Sequence, residues 1–195
     1  NDLPFGGYLI WRQMPVFIDG RAELYGEAFE MAYYRAMQLK DVSQFLDMLK
    51  TWDIDAVLLT HAHLDHVEGH EVIRQAYPDL PAWMHPEEQF WLDALPMQAQ
   101  LFGMPTPNPP QPLQWLQPGQ TWTVGGMTFE ARFCPGHTPG GISYYVPQGA
   151  LVLTGDTLFC GTVGRTDFPK GDLQTLLHSI KTQLLTLPDE TTVYS

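Results

Sequence analysis

Four of the seven histidines fall in one short segment, Thr60-His61-Ala62-His63-Leu64-Asp65-His66-Val67-Glu68-Gly69-His70. His61 and His63 stand two apart, so in extended chain their imidazoles project to the same side. Asp65 and His66 follow at the turn into a helix and can point back to the same place. Imidazole and carboxylate together suit zinc, iron or manganese. One histidine in a loop is ordinarily structural or solvated. Three histidines and an aspartate within six residues, straight after an apolar strand, read instead as metal ligands. Two further segments could complete such a site. Cys134-Pro135-Gly136-His137-Thr138-Pro139-Gly140-Gly141 reads as a rigid turn that exposes His137 between two strands. In Leu153-Thr154-Gly155-Asp156-Thr157-Leu158-Phe159, Asp156 ends another apolar strand. Read alone, His137 could be a turn residue and Asp156 a cap.

The elements that must position these groups mix strand and helix along the whole length. Short strands are expected over 7–11 and 16–18. Asp41 with Gln44 resembles a capping box, followed by Val42, Phe45, Leu46 and Leu49 at helical spacing. The run 54–60 fits a buried strand that delivers His61 at its end, where α/β proteins place their chemistry. Helices are expected over 67–77, 86–95 and 173–185. Strands are expected over 82–84, 121–124, 127–133, 141–146, 150–154 and 192–194, with Gly125-Gly126 as a hairpin turn. Residues 96–118 hold seven of the 17 prolines and read as a long loop, neither helix nor central strand. This mixture indicates layers of sheet and helix around one core, in a single domain over 1–195.

Composition supports a folded globule: 44% of residues are apolar and only 16% charged. Lys and Arg total 10 against 22 Asp and Glu, a formal charge of −12. That balance disfavours nucleic acid and anionic membranes as partners. No stretch approaches the roughly 18 unbroken apolar residues of a membrane span. No basic-then-apolar leader follows Asn1, and two cysteines cannot make a disulfide framework, so the expected compartment is the cytoplasm.

Four motifs occur in order: T-H-A-H-L-D-H-V-E-G at 60–69, C-P-G-H-T-P-G-G at 134–141, G-D-T-L-F at 155–159 and G-R-T-D-F at 164–168. Over roughly residues 53 to 195 the chain resembles the metallo-β-lactamase-fold hydrolases, and within them the glyoxalase II-like (hydroxyacylglutathione hydrolase-like) group. The resemblance implies an α/β fold, a four-layer αββα sandwich with a two-metal site at one edge. It implies that His61, His63 and His137 bind the first metal, Asp65 and His66 the second, and that Asp156 bridges them. Zinc is the expected metal, as one or two ions, with iron or manganese as alternatives. Two features depart from the family pattern. Ile18-Asp19-Gly20 stands where an Asp-Pro-Gly turn is usual, and the match is weak over 1–50. A Gly-His-Gly that supplies a further ligand to the second metal is not in the sequence, which runs to Ser195. The expectation for these residues is a C-terminally incomplete sandwich that holds one metal well and the second weakly or not at all.

Two metals bridged by a carboxylate lower the pKa of a water held between them and yield a hydroxide that attacks a carbonyl carbon. Asp65 can orient that hydroxide or take its proton. A thioester suits this chemistry, because a thiol with a pKa near 8.5 leaves with little protonation. The expected partner is therefore a small-molecule thioester or ester. Thr60, Thr138 and Asp167 are candidates to fix the ligands, and Arg165 to pair with Asp167. Cys134 is expected to be buried and inert, His70 to point away from the metals, His85 to start a helix and His178 to be structural or surface. The aromatic residues around 83–102 are expected to pack in the core. Two rival readings stand. One is a persulfide dioxygenase with a single iron on His61, His137 and Asp156; the other is a metal-binding module with little or no activity.

Overall fold

The computed structural model describes residues 56–124 and 126–195. The expected strands over 7–11 and 16–18 and the helix after Asp41 lie outside the described residues. Strands β1 (Val57–Leu58), β2 (Ala82–Met84) and β3 (Leu113–Trp115) form a parallel sheet in the order β1-β2-β3. Strands β4 (Thr121–Val124), β5 (Met127–Phe133), β6 (Ile142–Val146) and β7 (Leu151–Leu153) form an antiparallel meander. Between them and the end of the chain lie a small hairpin, β8 (Leu158–Phe159) and β9 (Thr162–Val163), and β10 (Thr192–Tyr194), which adds to the meander parallel to β7. The helices are α1 (Leu64–Val67), α2 (His70–Ala76), α3 (Gln89–Asp93), α4 (Leu95–Phe102) and α5 (Leu173–Ser179).

The period-2 alternation of strand side chains sorts the apolar residues into three layers. Val57 and Leu59 face the helices and pack with Val67, Ile73, Trp91 and Leu95. Ala56 and Leu58 face the other way, onto Phe129, Ile142, Tyr144 and Leu153 of the second sheet. In that sheet Tyr145 and Val152 turn outward and pack under Leu176, Ile180 and Leu184. Three apolar layers need four layers of backbone: helix, sheet, sheet, helix. The expected αββα sandwich is thus what the described residues build. Full burial of each large side chain in it contributes about 1.5–3 kcal/mol.

Several boundaries differ from expectation. The helix expected over 67–77 is shorter, α2, and a break at Glu68-Gly69 separates it from α1, a single helical turn before it. Glycine is the poorest helix former after proline, and the break leaves Asp65 and His66 on their own turn. The loop expected over 96–118 contains both α4 and β3. Pro96 stands in the first turn of α4, where no amide hydrogen is needed. Pro112 joins the sheet as an acceptor only: its carbonyl takes the Ala82 amide at 2.9 Å, next to the edge strand β3. The segment over 86–95 begins as a 3₁₀ turn at Pro86–Glu88, and the last helix passes into a π turn at Ile180–Leu184. No helix among the described residues is long and apolar enough to cross a membrane.

Cys134 is fully buried, and burial pushes its thiol up to about 11, whereas Cys160 is exposed. A neutral thiol reagent is therefore expected to modify one thiol per native chain and a second only after denaturation. Two thiols reacting at equal rates in the native protein would contradict this placement.

Candidate metal centre

Three strand ends meet at one edge of the sandwich. The Ile142 amide donates to the Thr60 carbonyl at 2.9 Å, which joins the end of β1 to the start of β6. His61 and His63 follow the first of these strands, and His137 precedes the second on a turn closed by the Cys134 amide and the Gly141 carbonyl at 2.7 Å. Asp156 follows β7, whose end is tied by the Thr154 amide to the Tyr194 carbonyl at 2.7 Å.

The imidazoles form a tight cluster. Ring centroids lie 4.8 Å apart for His61–His63 and His61–His137, 4.7 Å for His63–His137 and 3.9 Å for His61–His66. His63 Nδ1 and His137 Nε2 face each other at 3.0 Å. Two nitrogens on one tetrahedral zinc, each bonded at 2.0–2.1 Å, would be about 3.3 Å apart. Asp156 reaches His66 Nε2 at 3.4 Å through one oxygen and His137 Nε2 at 3.5 Å through the other. Ligand atoms of two triplets, His61–His63–His137 and His61–His66–Asp156, each lie within 4.8 Å of one another. Asp65 stands at the rim, half exposed, with its carboxylate 3.8 Å from His66 Nε2.

His61 Nε2, His63 Nε2 and His66 Nδ1 are buried without a hydrogen-bond partner. Unpartnered buried polar atoms are uncommon because they lose water and gain nothing in return. Of these, His61 Nε2 is free to face the site, where His63 Nδ1, His137 Nε2, His66 Nε2 and Asp156 also converge, and these atoms together fit a cation; His63 Nε2 and His66 Nδ1 are the opposite nitrogens of rings already turned into the site. The protonation states fit as well. Burial, followed by repulsion among the imidazoles, holds His61 far below its ordinary pKa and lowers His63 to about 3. Burial also lowers His137, against the pull of Asp156 and the Arg165 carbonyl. For Asp156, burial acts upward but the His66 hydrogen bond and the other imidazoles outweigh it, and the carboxyl is lowered. Neutral imidazoles and a carboxylate are the forms that bind metal.

The supports around the ligands differ partly from expectation. The Thr60 hydroxyl lies 3.1 Å from His61 Nδ1. His137 Nδ1 lies 2.7 Å from the main-chain carbonyl of Arg165. Donating a proton there leaves Nε2 free to face the site. Asp167 takes two 2.7 Å bonds from the Arg165 guanidinium, so its carboxylate steadies the loop while the Arg165 carbonyl orients the ligand. The guanidinium also lies 4.0 Å over the Phe168 ring. Phe168 and Trp91 in turn lean on His63, at 5.3 and 4.5 Å between ring centroids. Trp83 and Trp91 pack in the core as expected, but Phe90 and Phe102 are exposed. His85 caps the 3₁₀ turn, accepting the Glu87 amide at 3.3 Å; His70 is buried outside both triplets, and His178 is exposed on α5.

Two buried residues escape the sequence reading. Gln98 accepts the Leu64 amide at 2.9 Å and donates to the carbonyls of Ala62 at 3.4 Å and Trp91 at 3.0 Å. Glu88 accepts the Ala62 amide at 2.8 Å and the Gly140 amide at 2.7 Å. Both act on main-chain groups, 26 to 52 positions distant in Glu88's case, so no motif could mark them.

A sequence profile of the Metallo-beta-lactamase superfamily matches residues 47–195. The chain belongs to the metallo-beta-lactamase superfamily. Within this superfamily its curated relatives support a glyoxalase II-like group. One is "Hydroxyacylglutathione hydrolase GloC" of Haemophilus influenzae, 41% identical over 140 residues that make up 71% of this chain and 66% of that protein. Another is "Probable metallo-hydrolase YqgX" of Bacillus subtilis, 43% identical over 143 residues, 72% of this chain and 66% of that protein. The match thus spans just under two thirds of these relatives' length. Among solved structures, TTHA1623 in a di-iron-bound form superposes with a TM-score of 0.69 at 38% identity, covering 79% of this chain and 76% of that one. ETHE1 from Myxococcus xanthus gives 0.58 at 29% identity, covering 80% of this chain and 60% of that one. Metallo-beta-lactamase superfamily proteins bind divalent metals, in keeping with the di-iron neighbour and the histidine–aspartate cluster.

Proposed function

We propose that this chain is a zinc-dependent hydrolase of thioesters of the S-acylglutathione class. The observation that carries the reading is the convergence of His61, His63, His66, His137 and Asp156, with His63 Nδ1 and His137 Nε2 facing each other at 3.0 Å and His61 Nε2 buried without a partner. Likeness to a protein named hydroxyacylglutathione hydrolase supports the substrate class. In this reading His61, His63 and His137 would hold one ion, Asp65 and His66 a second, and Asp156 would serve both. A divalent ion bound there would supply a water acidified toward neutral pH and an electrophile for the carbonyl oxygen. Asp65, at the solvent rim, orients the attacking oxygen and takes its proton. Partial burial raises its pKa, with His66 pulling the other way, which makes it a better base. The Arg165 carbonyl keeps the proton of His137 on Nδ1 throughout. Trp91 and Phe168 shield His63 from water. A thiol leaving group asks for no strong general acid. The two unpaired cysteines favour the cytoplasm as the compartment.

The test is metal content and thiol release from an S-acylglutathione, measured on one sample. Zinc-dependent release that stops on chelation is the expected result. A second reading, a mononuclear-iron persulfide dioxygenase using His61, His137 and Asp156, draws on the likeness to ETHE1 and to a di-iron-bound neighbour. Oxygen consumption on glutathione persulfide by the iron-loaded protein, without thioester cleavage, would favour it.

A further inference from the structure

Glu88 belongs to none of the metal-ligand motifs, yet it is a carboxylate with 0% exposure. It sits at the end of the 3₁₀ turn Pro86–Glu88, which follows β2 and is capped by His85. Its two oxygens act in opposite directions. Oε2 accepts the amide of Ala62, the residue between His61 and His63. Oε1 accepts the amide of Gly140, on the turn that carries His137. Hydrogen bonds to a carboxylate are roughly twice as strong as those between neutral groups. The approach is also as close as it can be. A Cβ on Gly140 would come within 2.8 Å of both Cγ and the main-chain nitrogen of Glu88. One side chain therefore spans the two loops that present the three imidazoles.

We propose that Glu88 is a positioning residue of the metal centre: by bridging the Ala62 and Gly140 amides it sets the separation of the His61/His63 loop from the His137 loop, and hence the ligand geometry. This rests on the proposed metal site. Glutamine at position 88 keeps the shape but has only one oxygen. Its NH₂ must face one of the two amide N–H groups, so one bond becomes a donor facing a donor. That loop is then free to move and the ring nitrogens lose their convergence.

The experiment measures zinc affinity by chelator competition and the visible absorption of the cobalt-substituted protein. E88Q is expected to bind zinc about 10–100-fold more weakly and to alter the cobalt spectrum, with the fold retained by circular dichroism. E88D, which restores an acceptor on each oxygen, should recover part of the affinity. Val146→Ala, in the buried layer between the sheets, serves as control. It should lower Tm without changing zinc affinity or the spectrum. Wild-type zinc affinity and spectrum in E88Q would overturn the proposal, as would a loss no greater than in a Val146→Ala protein of equal Tm. Should E88Q not fold, Gly140→Ala pushes on Glu88 from the far side with no change of charge, and unchanged zinc affinity there overturns it equally. A wild-type chain that binds no metal fails the metal-site reading itself. One that binds metal, with E88Q binding just as well, fails this inference alone.

Discussion

Alanine in place of His137 is expected to lower kcat/KM for thioester hydrolysis by about 10³-fold or more. His137 joins the two sheets at the site. Its Nε2 lies 3.0 Å from His63 Nδ1 and 3.5 Å from Asp156, and its Nδ1 lies 2.7 Å from the Arg165 carbonyl. Without it, the His61–His63–His137 triplet keeps two nitrogens and the ion is held loosely. Metal stabilisation of developing charge contributes several kcal/mol, and each 1.36 kcal/mol is tenfold in rate. The fold should survive, because the principal structural loss is the partner of one carbonyl, about 1–3 kcal/mol. Steady-state kinetics with metal analysis on the same sample make the check. A His137→Ala protein with full metal content and activity within tenfold of wild type would contradict the assignment.

Gly136→Ala is expected to cost about 2–6 kcal/mol of stability, as the sum of two effects of about 1–3 kcal/mol each. The first is conformational: Gly136 has φ 130°, which side chains rarely tolerate. The second is steric: a Cβ there would lie 2.3 Å from the Leu176 nitrogen and 2.4 Å from its Cα. That neighbour is helix backbone, held in place by the fully buried Leu176 side chain. The Gly136 carbonyl also accepts the Asp172 amide at 2.8 Å, so the turn cannot simply swing away. Set against a typical domain stability of 5–15 kcal/mol, the change threatens folding outright. Urea denaturation measures it directly, and a midpoint indistinguishable from wild type would refute it. Because His137 is the next residue, zinc affinity should fall along with stability.

Local chemistry accounts for what is legible in the sequence. The β6 and β7 segments are legible as short apolar and aromatic runs, Ile142-Ser143-Tyr144-Tyr145-Val146 and Leu151-Val152-Leu153, set off by Gly140-Gly141, Pro147 and Gly149, and each strand ends within a residue of expectation. The proline-rich stretch departs from the expected loop because proline bears differently on different positions. It forbids a helix interior but not the first turn, where Pro96 stands, nor an acceptor role beside an edge strand, which Pro112 fills.

By itself, the sequence determined which side chains could bind a metal and that each follows or precedes a strand. Residue type and short-range periodicity are properties of the chain. Only the tertiary structure decided how those side chains are held. Glu88 grips the amides of Ala62 and Gly140, Gln98 grips the chain at Ala62 and Leu64, and the Arg165 carbonyl, not the Asp167 carboxylate, orients His137. The physical reason is common to all three. Main-chain amides and carbonyls are the same at nearly every residue, so which of them meets a given side chain is set only when distant segments pack together.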